Sequence, residues 1–226
     1  MDSLYGSYTK FQAWTSDQVT RPENHAETMR LCGRTGRLRV LEVGFGSGDF
    51  LNWAKDQHDV SGIEIIPELV TAARAAGHTV TLSTIEAFDA PPFDLIVATD
   101  VLEHLTVEEL RSFFGQMSRL LKPGGRLVAR FPNGASPFGR IFQTGDLTHK
   151  TALSKSAARQ LAIDAGLIFV GAFNFRPAGP LKRKAAYLLR DIIGTVVCLA
   201  FYGWREPMDA NVVVVVEHPQ SPAVKP

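Results

Sequence analysis

The sequence predicts an α/β protein built on a doubly wound parallel sheet, and three observations carry this prediction. Short runs rich in β-branched residues alternate with segments of helical periodicity, which is typical of a parallel sheet with helices on both faces. A glycine-rich turn, LEVGFGSGDF from Leu41 to Phe50, joins the first strand to the helix after it. The length of 226 residues, with 45% hydrophobic and 21% charged residues, suits one globular domain.

The elements follow one another in a regular order. We predict seven strands, at RVLEVG, DVSGIEI, TVTLS, FDLIVATD, RLVARFP, LIFVGAFNF and NVVVVVEH. Helices are predicted at QVTRPENHAETMRLC, GDFLNWAKDQ, PELVTAARAAG, VEELRSFFGQMSRLLKPGG, residues 154–165 and residues 181–202. The stretch NGASPFGRIFQTGDLTHKTAL after the fifth strand is rich in Gly, Pro and polar residues, and we predict a functional loop there.

These elements divide a single domain, residues 1–226, into five segments. The segments are an N-terminal helical cap (1–36), the core (37–178), a helical insertion (179–209), the final strand (210–218) and a disordered tail (219–226). In an open sheet of this kind, a ligand binds at the carboxyl ends of the strands, near the point where the strand order reverses. The loops after strands one, two, four and five are therefore the expected site.

Composition limits the function. The 24 Lys and Arg residues nearly balance the 23 Asp and Glu residues, and the net charge of +1 does not favour nucleic-acid binding. Cys32 and Cys198 lie far apart, without the spacing of metal ligands or of a disulfide framework, and we expect no metal site. The first residues lack the features of a signal peptide, and the longest apolar run, from Ile192, is shorter than the roughly 18 residues that span a bilayer. We therefore expect a cytoplasmic protein.

The glycine turn raises the question of which ligand it accommodates. Gly44, Gly46 and Gly48 form a GxGxG pattern between a strand and a helix, where glycine permits a positive φ or the close approach of a ligand. A dinucleotide-binding turn has a third glycine at the position of Asp49, and a carboxylate there opposes a pyrophosphate at the helix N-terminus. No Gly-Lys-Ser/Thr follows, as a nucleoside triphosphate turn requires. A ligand without phosphate fits this turn better.

Two acidic residues accompany the turn. Glu64 ends the second strand, 18 residues beyond Gly46, where an acid can accept hydrogen bonds from both hydroxyls of a ribose. The alternative for Glu64 is a solvated acid at a strand end. Glu42 lies inside the first strand, where an unpaired carboxylate is costly to bury, so it either faces a ligand or caps a neighbouring loop.

Four blocks of sequence together resemble a known family. VLEVGFGSGDF, VSGIEIIPE, FDLIVATDVLEHL and LLKPGGRLVARFPN, in this order, resemble the class I S-adenosylmethionine (SAM)-dependent methyltransferases over roughly residues 38–175. The resemblance implies a Rossmann-like, seven-stranded sheet that is mostly parallel with an antiparallel last strand, and SAM as the cofactor of the 37–178 core. The cofactor-binding residues that follow from it are Glu42, Gly44, Phe45, Gly46, Gly48, Glu64, Ile65, Ile85, Asp100 and Val101.

The resemblance also implies a place for each part of the cofactor. The three glycines line the methionine part, Glu64 holds the ribose hydroxyls, and Asp100 lies beside the amino end, while Ile65 and Ile85 flank the adenine. Thr84 stands where the family often has Asp, which weakens a contact to the adenine amino group. Because SAM carries no phosphate, carboxylates can surround it without repulsion.

The functional loop supplies the candidates for catalysis. The block from FPNGASPFG to GDLTHKTALSKSAARQLAIDAGL resembles a subgroup of small bacterial methyltransferases associated with surface-polysaccharide or other glycan pathways, which implies an oxygen of a small-molecule or glycan-type acceptor. A hydroxyl acceptor needs a base that takes its proton. The catalytic candidates are His149 as this base and Asp146 as the carboxylate that orients the imidazole ring of His149. Alternatively, Asp146 forms an Asx turn with Thr148, and His149 only closes the loop.

Three other polar residues compete for roles at this edge. Glu103 and His104 follow the fourth strand. In the family that this sequence resembles, such a Glu-His pair is common to enzymes with different acceptors, which implies a scaffold or cofactor-side role for both residues. Asn133 directly follows the fifth strand, where it either binds the acceptor or forms a turn.

The late helix leaves its partner open. An apolar stripe follows a basic cluster there, formed by Leu188, Leu189, Ile192, Ile193, Val196 and Val197 after Lys182, Arg183 and Lys184. The stripe packs on the sheet or on a partner subunit, such as the second copy of a homodimer, or it rests on a membrane surface, peripheral to the inner membrane. Two rival functions are a non-catalytic methyltransferase-like protein that docks on a membrane or partner, and an NAD-dependent oxidoreductase, which Asp49 argues against.

Overall fold

The computed structural model describes residues 21–220. The start of the predicted cap (1–20) and most of the predicted tail (221–226) lie outside the described residues. The strands are β1 (Arg39–Val43), β2 (Asp59–Glu64), β3 (Thr79–Leu82), β4 (Phe93–Thr99), β5 (Leu121–Pro132), β6 (Ile168–Asn174) and β7 (Asn211–Glu217). The helices are α1 (Pro22–Cys32), α2 (Asp49–Ala54), α3 (Pro67–Ala75), α4 (Val107–Leu120), α5 (Arg140–Gly145), α6 (Lys155–Asp164) and α7 (Leu181–Phe201), with a 3₁₀ turn at Leu102–His104.

The seven strands form one sheet in the order β3-β2-β1-β4-β5-β7-β6. The pairs β1–β2, β2–β3, β1–β4 and β4–β5 are parallel, and β7 is antiparallel to both β5 and β6. The prediction of an α/β, Rossmann-like sheet with an antiparallel last strand is confirmed. The strand order reverses between β1 and β4, so the crevice expected to hold a ligand opens at the carboxyl ends of these two strands.

Helices cover both faces of the sheet and explain its strand sequences. On one face, α4 buries Phe113, Phe114 and Met117 in the core that the sheet provides. On the other face, Leu31 of α1 and Phe50 of α2 pack on the sheet. Strands covered on both faces have continuous apolar runs, and the five valines of β7 are accordingly all buried.

The start of α4 positions the turn that ends β4. Thr106 and Glu109 form a capping box, in which the Glu109 backbone N–H donates to the Thr106 hydroxyl at 3.2 Å and the Thr106 N–H donates to the Glu109 carboxylate at 2.7 Å. The N-cap residue Thr106 lies two residues after the Leu102–His104 turn. The side chains of that turn are therefore held at the carboxyl edge of the sheet.

Two predicted boundaries differ from the structure. β5 begins at Leu121 and not at Arg126, because the intervening residues bulge: Leu121 pairs with Phe93, and Arg126 pairs with Leu95. The predicted functional loop contains the short helix α5, which its glycine and proline content concealed.

Packing of the α7 stripe on the sheet, one of the predicted alternatives, is wrong. The buried residues of α7 are Gly194 and Cys198. The stripe residues Leu188, Leu189, Ile192, Ile193 and Val196 are exposed. In the part of the chain that the structure describes, no helix has the length and apolar character to cross a membrane.

Candidate active site

The glycine turn has the backbone that its sequence predicts. Gly44, Gly46 and Gly48 have φ values of 66°, 52° and 78°, in the left-handed region that side chains disfavour. A Cβ on Gly44 would lie 2.7 Å from Cγ2 of Val101, so this position also requires glycine for close packing. The turn therefore lies against the residue that follows Asp100 at the end of β4.

Glu64 connects the turn to the end of β2. One carboxylate oxygen accepts the Ile65 N–H at 2.7 Å and the Ile66 N–H at 3.2 Å, and the other accepts the Gly46 N–H at 3.2 Å. The side chain is buried. A carboxylate offers about four lone-pair sites, so acceptor capacity remains after these three bonds. Glu64 is thus not a solvated strand-end acid.

Glu42 is a buried carboxyl group whose Oε2 has no hydrogen-bond partner among the described residues. Burial raises the pKa of Glu42 well above its ordinary value, and the charges of Asp49 and Glu64 raise it further. A backbone hydrogen bond from Leu51 of α2 to the carboxyl group opposes this rise of the pKa, so the predicted capping role accounts for one contact of Glu42 but not for the unpartnered Oε2. The carboxyl group is suited to a cationic ligand or to a hydrogen-bond donor.

Asp100 has an unusual backbone and an unpredicted partner. Its φ of 55° makes it the non-glycine residue with positive φ in the described chain. Its carboxylate pairs with the guanidinium of Arg130 on β5, where Nε lies 3.1 Å from Oδ1 and the Nη2–Oδ2 contact is shorter still. Arg130 is itself buried, and its guanidinium lies 5.2 Å from the centre of the Phe175 ring. Asp100 and Arg130 therefore form an ion pair at the carboxyl end of β4.

The predicted apolar contacts divide between core and surface. The Phe45 side chain is buried in a cluster with Leu51 and Val70, which leaves only its backbone for contact with a ligand. Ile85 is buried in the main core, whereas Ile65 is 42% exposed. Only part of the predicted adenine site is therefore open to a ligand in this structure.

The loop between β5 and α6 folds back onto the turn that ends β4. The backbone N–H groups of Lys150 and Thr151 donate to the carbonyl oxygen of Glu103 at 2.8 and 3.1 Å. The Thr151 hydroxyl donates to the carbonyl oxygen of Leu105 at 2.6 Å. These bonds bring His149 beside Glu103 and His104.

Asp146 and His149 lie close together in this loop, where the hydrogen bonds of Asp146 are those of the predicted Asx turn, and the His149 ring is oriented at Nδ1 by the Gln143 carbonyl and not by Asp146. Oδ1 of Asp146 accepts the Thr148 N–H at 2.8 Å and the Thr148 hydroxyl at 2.7 Å, which is an Asx turn. Oδ2 lies 4.0 Å from Nε2 of His149. The same nitrogen lies 3.9 Å from Oε1 of Glu103, and the His149 and His104 ring centres are 4.7 Å apart.

Glu103 and His104 thus belong to the same cluster as the two catalytic candidates. Burial raises the pKa of Glu103 well above its ordinary value, and the nearby Asp100 charge raises it further. Burial lowers the pKa of His104, as does the neighbouring His149. Asn133 takes no part: its amide nitrogen donates to the Pro207 and Asp209 carbonyls at 2.8 and 3.3 Å, and its oxygen accepts the Ala135 N–H. The turn-forming alternative for Asn133 is therefore correct.

Sequence reasoning missed Arg130 and His25. Arg130 lies in an apolar strand, and its signal was a charge in a run that is otherwise buried. His25 of α1 packs on Phe50 and Trp53 with ring centres 5.6 Å apart, and the charges of Asp49 and Arg130 act on its pKa, which burial lowers. Helix α1 therefore packs on α2, the helix that follows the glycine turn.

Comparison with known proteins places this geometry in context. Residues 41–129 match the model of a family described as "Methyltransferase domain". The matched segment contains the glycine turn, Glu64, Asp100 and the Glu103–His104 pair, and it ends before Arg130, Asp146 and His149.

Two curated relatives show the extent of the similarity. Nodulation protein S from Rhizobium tropici is 31% identical over 115 residues, which cover 47% of this chain and 48% of the relative. Protein-L-isoaspartate O-methyltransferase 1 from Anaeromyxobacter sp. (strain Fw109-5) is 34% identical over 123 residues, covering 50% of this chain and 53% of the relative. The chain thus spans about half the length of the curated relatives it matches.

A solved structure extends the likeness over nearly the whole chain. The N-methyltransferase NodS from Bradyrhizobium japonicum WM9, in complex with S-adenosyl-L-homocysteine, has a TM-score of 0.64 at 20% identity, and the alignment covers 97% of this chain and 100% of that structure. This likeness shows the fold, which is that of the SAM-dependent methyltransferases.

Proposed function

We propose that this chain is a SAM-dependent methyltransferase that transfers a methyl group to an oxygen of a small-molecule or glycan-type acceptor. The observation that carries the proposal is Glu42, a buried carboxyl group with an unpartnered oxygen, in the strand that leads into the glycine turn. A cationic ligand without phosphate fits this group and Asp49, the first residue of α2. The methyltransferase-domain match of residues 41–129 supports the same ligand.

The nucleoside end of the cofactor would lie along β2. Glu64 would accept hydrogen bonds from the ribose hydroxyls with the lone pairs that its backbone contacts leave. Ile65 and Ile85 would flank the adenine, and the 42% exposure of Ile65 gives the ring an apolar surface to cover. When bound, SAM supplies a methyl carbon that is activated by a positively charged sulfur.

The amino-acid end would lie between the glycine turn and the end of β4. Gly44, Gly46 and Gly48 would give its backbone access, together with the Phe45 main chain and Val101. Asp100 and Arg130 present opposite charges side by side, which matches the ammonium and carboxylate of a zwitterion. We therefore assign Asp100 to the ammonium, and Arg130 to the carboxylate.

His149 and Asp146 are the proposed catalytic residues on the acceptor side. Nδ1 of His149 lies 3.1 Å from the carbonyl oxygen of Gln143, which can only accept, so Nδ1 carries a hydrogen and the neutral ring has its lone pair at Nε2. This lone pair would take the proton of an acceptor hydroxyl, and the Asp146 carboxylate would stabilise the imidazolium that forms. A base of this kind favours an oxygen acceptor, because a hydroxyl must lose its proton to become a good nucleophile.

The acceptor class rests on the sequence block from residue 131 to residue 167, which resembles glycan-associated methyltransferases. The relatives named above include both an N-methyltransferase and an O-methyltransferase, so they do not select one acceptor atom. The loop that would contact the acceptor lies outside the family match.

We further propose that α7 docks on an anionic lipid surface, where a lipid-linked acceptor would be found. Its exposed stripe is accompanied by exposed Lys182 and Lys184 at the start of the helix, and by Tyr202 and Trp204 at its end, which are 43% and 61% exposed. Basic and interfacial aromatic residues beside an apolar face are typical of helices that lie in a membrane interface. A second copy of this chain is the alternative occupant of the stripe.

Thermal denaturation with each cofactor tests the cofactor half of the proposal. At about 100 times its Kd, a ligand of the native state stabilises by about 2.7 kcal/mol, which raises the Tm of a domain of this size by roughly 5 to 10 °C. We expect this shift with SAM and none with NAD. A shift with NAD alone would support an oxidoreductase.

Isotope transfer tests the reaction. The protein is incubated with methyl-labelled SAM and cell extract, and the labelled product is located by mass spectrometry. Label on an oxygen of a small molecule or glycan supports the proposal. SAM binding without incorporation of label would instead support a non-catalytic methyltransferase-like protein.

A further inference from the structure

Glu103, His104 and His149 form a group of three side chains that could each supply one ligand atom to a metal ion. The three ligand atoms, one from each residue, all lie within 4.8 Å of one another. We propose that these residues bind a divalent transition-metal cation on the acceptor side of the crevice. We expected no metal site from the sequence, and the ligands proposed here come from two segments 45 residues apart that the fold brings together.

The hydrogen bonds of the two imidazoles are those of metal ligands. As described above, Nδ1 of His149 donates to the Gln143 carbonyl, which leaves the lone pair on Nε2. Nδ1 of His104 lies 2.9 Å from the Thr148 hydroxyl, whose hydrogen is directed to Asp146, so this nitrogen also donates. Histidines that bind metals in proteins donate their other ring N–H to a carbonyl or a polar group in this manner.

The carboxyl groups around the Nε2 lone pair of His149 favour a positive charge at this point. Nε2 faces Oε1 of Glu103 at 3.9 Å and Oδ2 of Asp146 at 4.0 Å. A lone pair that faces two carboxyl oxygens is unfavourable unless a proton or a cation lies between them. The separations exceed a direct hydrogen bond and leave room for a cation, whose bonds to nitrogen and oxygen ligands are about 2.0–2.2 Å.

Glu103 supplies an independent observation. Its side chain is 2% exposed, and Oε2 has no hydrogen-bond partner among the described residues. An unpartnered buried carboxyl oxygen is costly, and a cation at this point would satisfy it.

The donor set defines the class of cation. Two imidazoles and one carboxylate form the ligand set of open zinc sites and of other first-row metal sites, with positions left for water or substrate. Mg²⁺ prefers oxygen ligands and is therefore expected to bind more weakly than Mn²⁺ or Zn²⁺.

The use of the cation rests on the proposed methyl transfer, although its binding does not. A metal-bound acceptor hydroxyl has a lowered pKa and releases its proton to the Asp146 carboxylate or to solvent. The oxygen then forms a bond to the methyl carbon while the carbon–sulfur bond breaks and its electron pair stays on sulfur. With the cation bound, His149 acts as a ligand, and the cation takes over the activation of the acceptor that we otherwise assign to Nε2.

Metal titration of the chelator-treated protein tests the site directly. Calorimetry with Mn²⁺ and with Zn²⁺ is expected to show one saturable equivalent, and His149→Ala and Glu103→Gln are each expected to weaken it at least about tenfold. His78→Ala is the matched control, because His78 lies on the surface beside Asn52, far along the chain from the cluster. Equal affinity in His149→Ala and the wild type, or no saturable binding, would overturn the proposal.

A spectroscopic measurement on the wild-type protein removes the dependence on variants that fold. Pulsed electron paramagnetic resonance of bound Mn²⁺ should detect nitrogen couplings from two imidazoles, and their absence would reject the ligand set. Glu103→Gln keeps the shape of the side chain, and its thermal melt reports whether a loss of binding is a loss of fold.

Methyl transfer separates the two proposals. Metal binding with the expected nitrogen couplings supports the site even if no methyl transfer is found, in which case the proposed function fails alone. Methyl transfer that persists in the chelated protein, together with a failed titration, overturns the site and leaves the proposed function standing.

Discussion

At the scale of the residue, Glu42 is where stability and ligand binding conflict. A buried carboxyl group whose pKa is raised binds a proton more readily in the folded than in the unfolded state. Its contribution to stability is therefore complete below the ordinary pKa of 4.5 and is lost as the pH rises through the folded pKa. At neutral pH, the protein without a ligand carries the cost of this group.

Glu42→Gln is expected to raise the free energy of unfolding by about 1 kcal/mol at neutral pH, because it removes a buried ionisable group whose raised pKa costs stability there. The same change is expected to weaken SAM binding by roughly tenfold, the effect of one hydrogen bond to a charged group. Denaturant unfolding across pH and calorimetry with SAM measure the two effects. Glu86→Gln is the control, because Glu86 is exposed. A loss of stability at neutral pH in Glu42→Gln would contradict this account.

Glu64→Gln is the sharper test of the ribose contact than Glu64→Ala. Gln keeps an oxygen that can accept the Ile65 and Ile66 N–H groups, whereas Ala leaves them and the Gly46 N–H without an acceptor. We expect Glu64→Gln to weaken SAM binding at least tenfold and to cost less stability than Glu64→Ala, because only the Gly46 N–H loses its acceptor to the amide nitrogen, whereas Glu64→Ala should lower stability by about 1–3 kcal/mol. Calorimetry and thermal melts check this pair, and unchanged SAM affinity in both variants would reject the ribose contact.

His149→Ala is expected to lower kcat by roughly 10²- to 10⁴-fold, the usual contribution of a group that handles the proton in the transition state. The Kd of SAM should change less than about twofold, since His149 lies outside the proposed cofactor contacts. Single-turnover kinetics and calorimetry make the comparison, with His78→Ala as the surface control. Full activity in His149→Ala would remove it from catalysis.

At the scale of the element, a helix or strand could be predicted where burial leaves a pattern in its own sequence, and could not where its structure depends on distant residues. The strands were predicted because burial on both faces produces apolar runs, as in β7. The short helix α5 was not, because it lies in a loop rich in glycine and proline and none of its residues is buried, so no periodic pattern of buried apolar residues marks it. The bulge at the start of β5 depends on pairing with β4, which adjacent residues in the sequence do not encode.

The candidate site divides in the same way. The residues proposed to bind the cofactor lie at or next to the ends of strands. Their glycines and acidic residues therefore form a pattern that is recognisable in the sequence alone. The Asp100–Arg130 pair depends on the register of β4 against β5, where Thr99 lies opposite Arg130. The meeting of His149 with Glu103 depends on backbone hydrogen bonds across the fold. Neither register nor loop docking is visible in a single sequence.

Helix α7 offers a prediction at this scale. Ile192→Asp and Val196→Asp place charges on residues that are 54% and 62% exposed, so the double variant should retain its Tm. We expect it to lose most of its cosedimentation with anionic phospholipid vesicles. The control is Ile163→Asp on α6, which is 57% exposed and outside the stripe.

Light scattering of the same α7 variants identifies the other occupant. A wild-type dimer that becomes monomeric in the double variant, without vesicle binding by either, would assign the stripe to a second copy of this chain. That result would reject the lipid surface.

At the scale of the whole molecule, the sheet order separates tasks along one edge. Strand β2 carries the groups proposed for the nucleoside, β1 and β4 lead into those proposed for the amino-acid end of the cofactor, and β5 carries Arg130 and leads into the acceptor loop. The antiparallel β7 lies between β5 and β6, and its valines are buried in the core on both faces of the sheet. The family match covers residues 41–129, and the loop proposed for the acceptor, which contains Asp146 and His149, lies outside it.

The residues from Asp100 to His104 have a consequence for the order of events. At one end, Val101 packs against Gly44 of the cofactor turn, and at the other, the Glu103 carbonyl holds the loop that carries His149. If the cofactor displaces this five-residue segment, the loop that carries His149 therefore moves as well, and if the acceptor displaces the segment, the cofactor turn moves. Linkage requires such an effect to be mutual, so cofactor and acceptor would each alter the affinity for the other by the same factor.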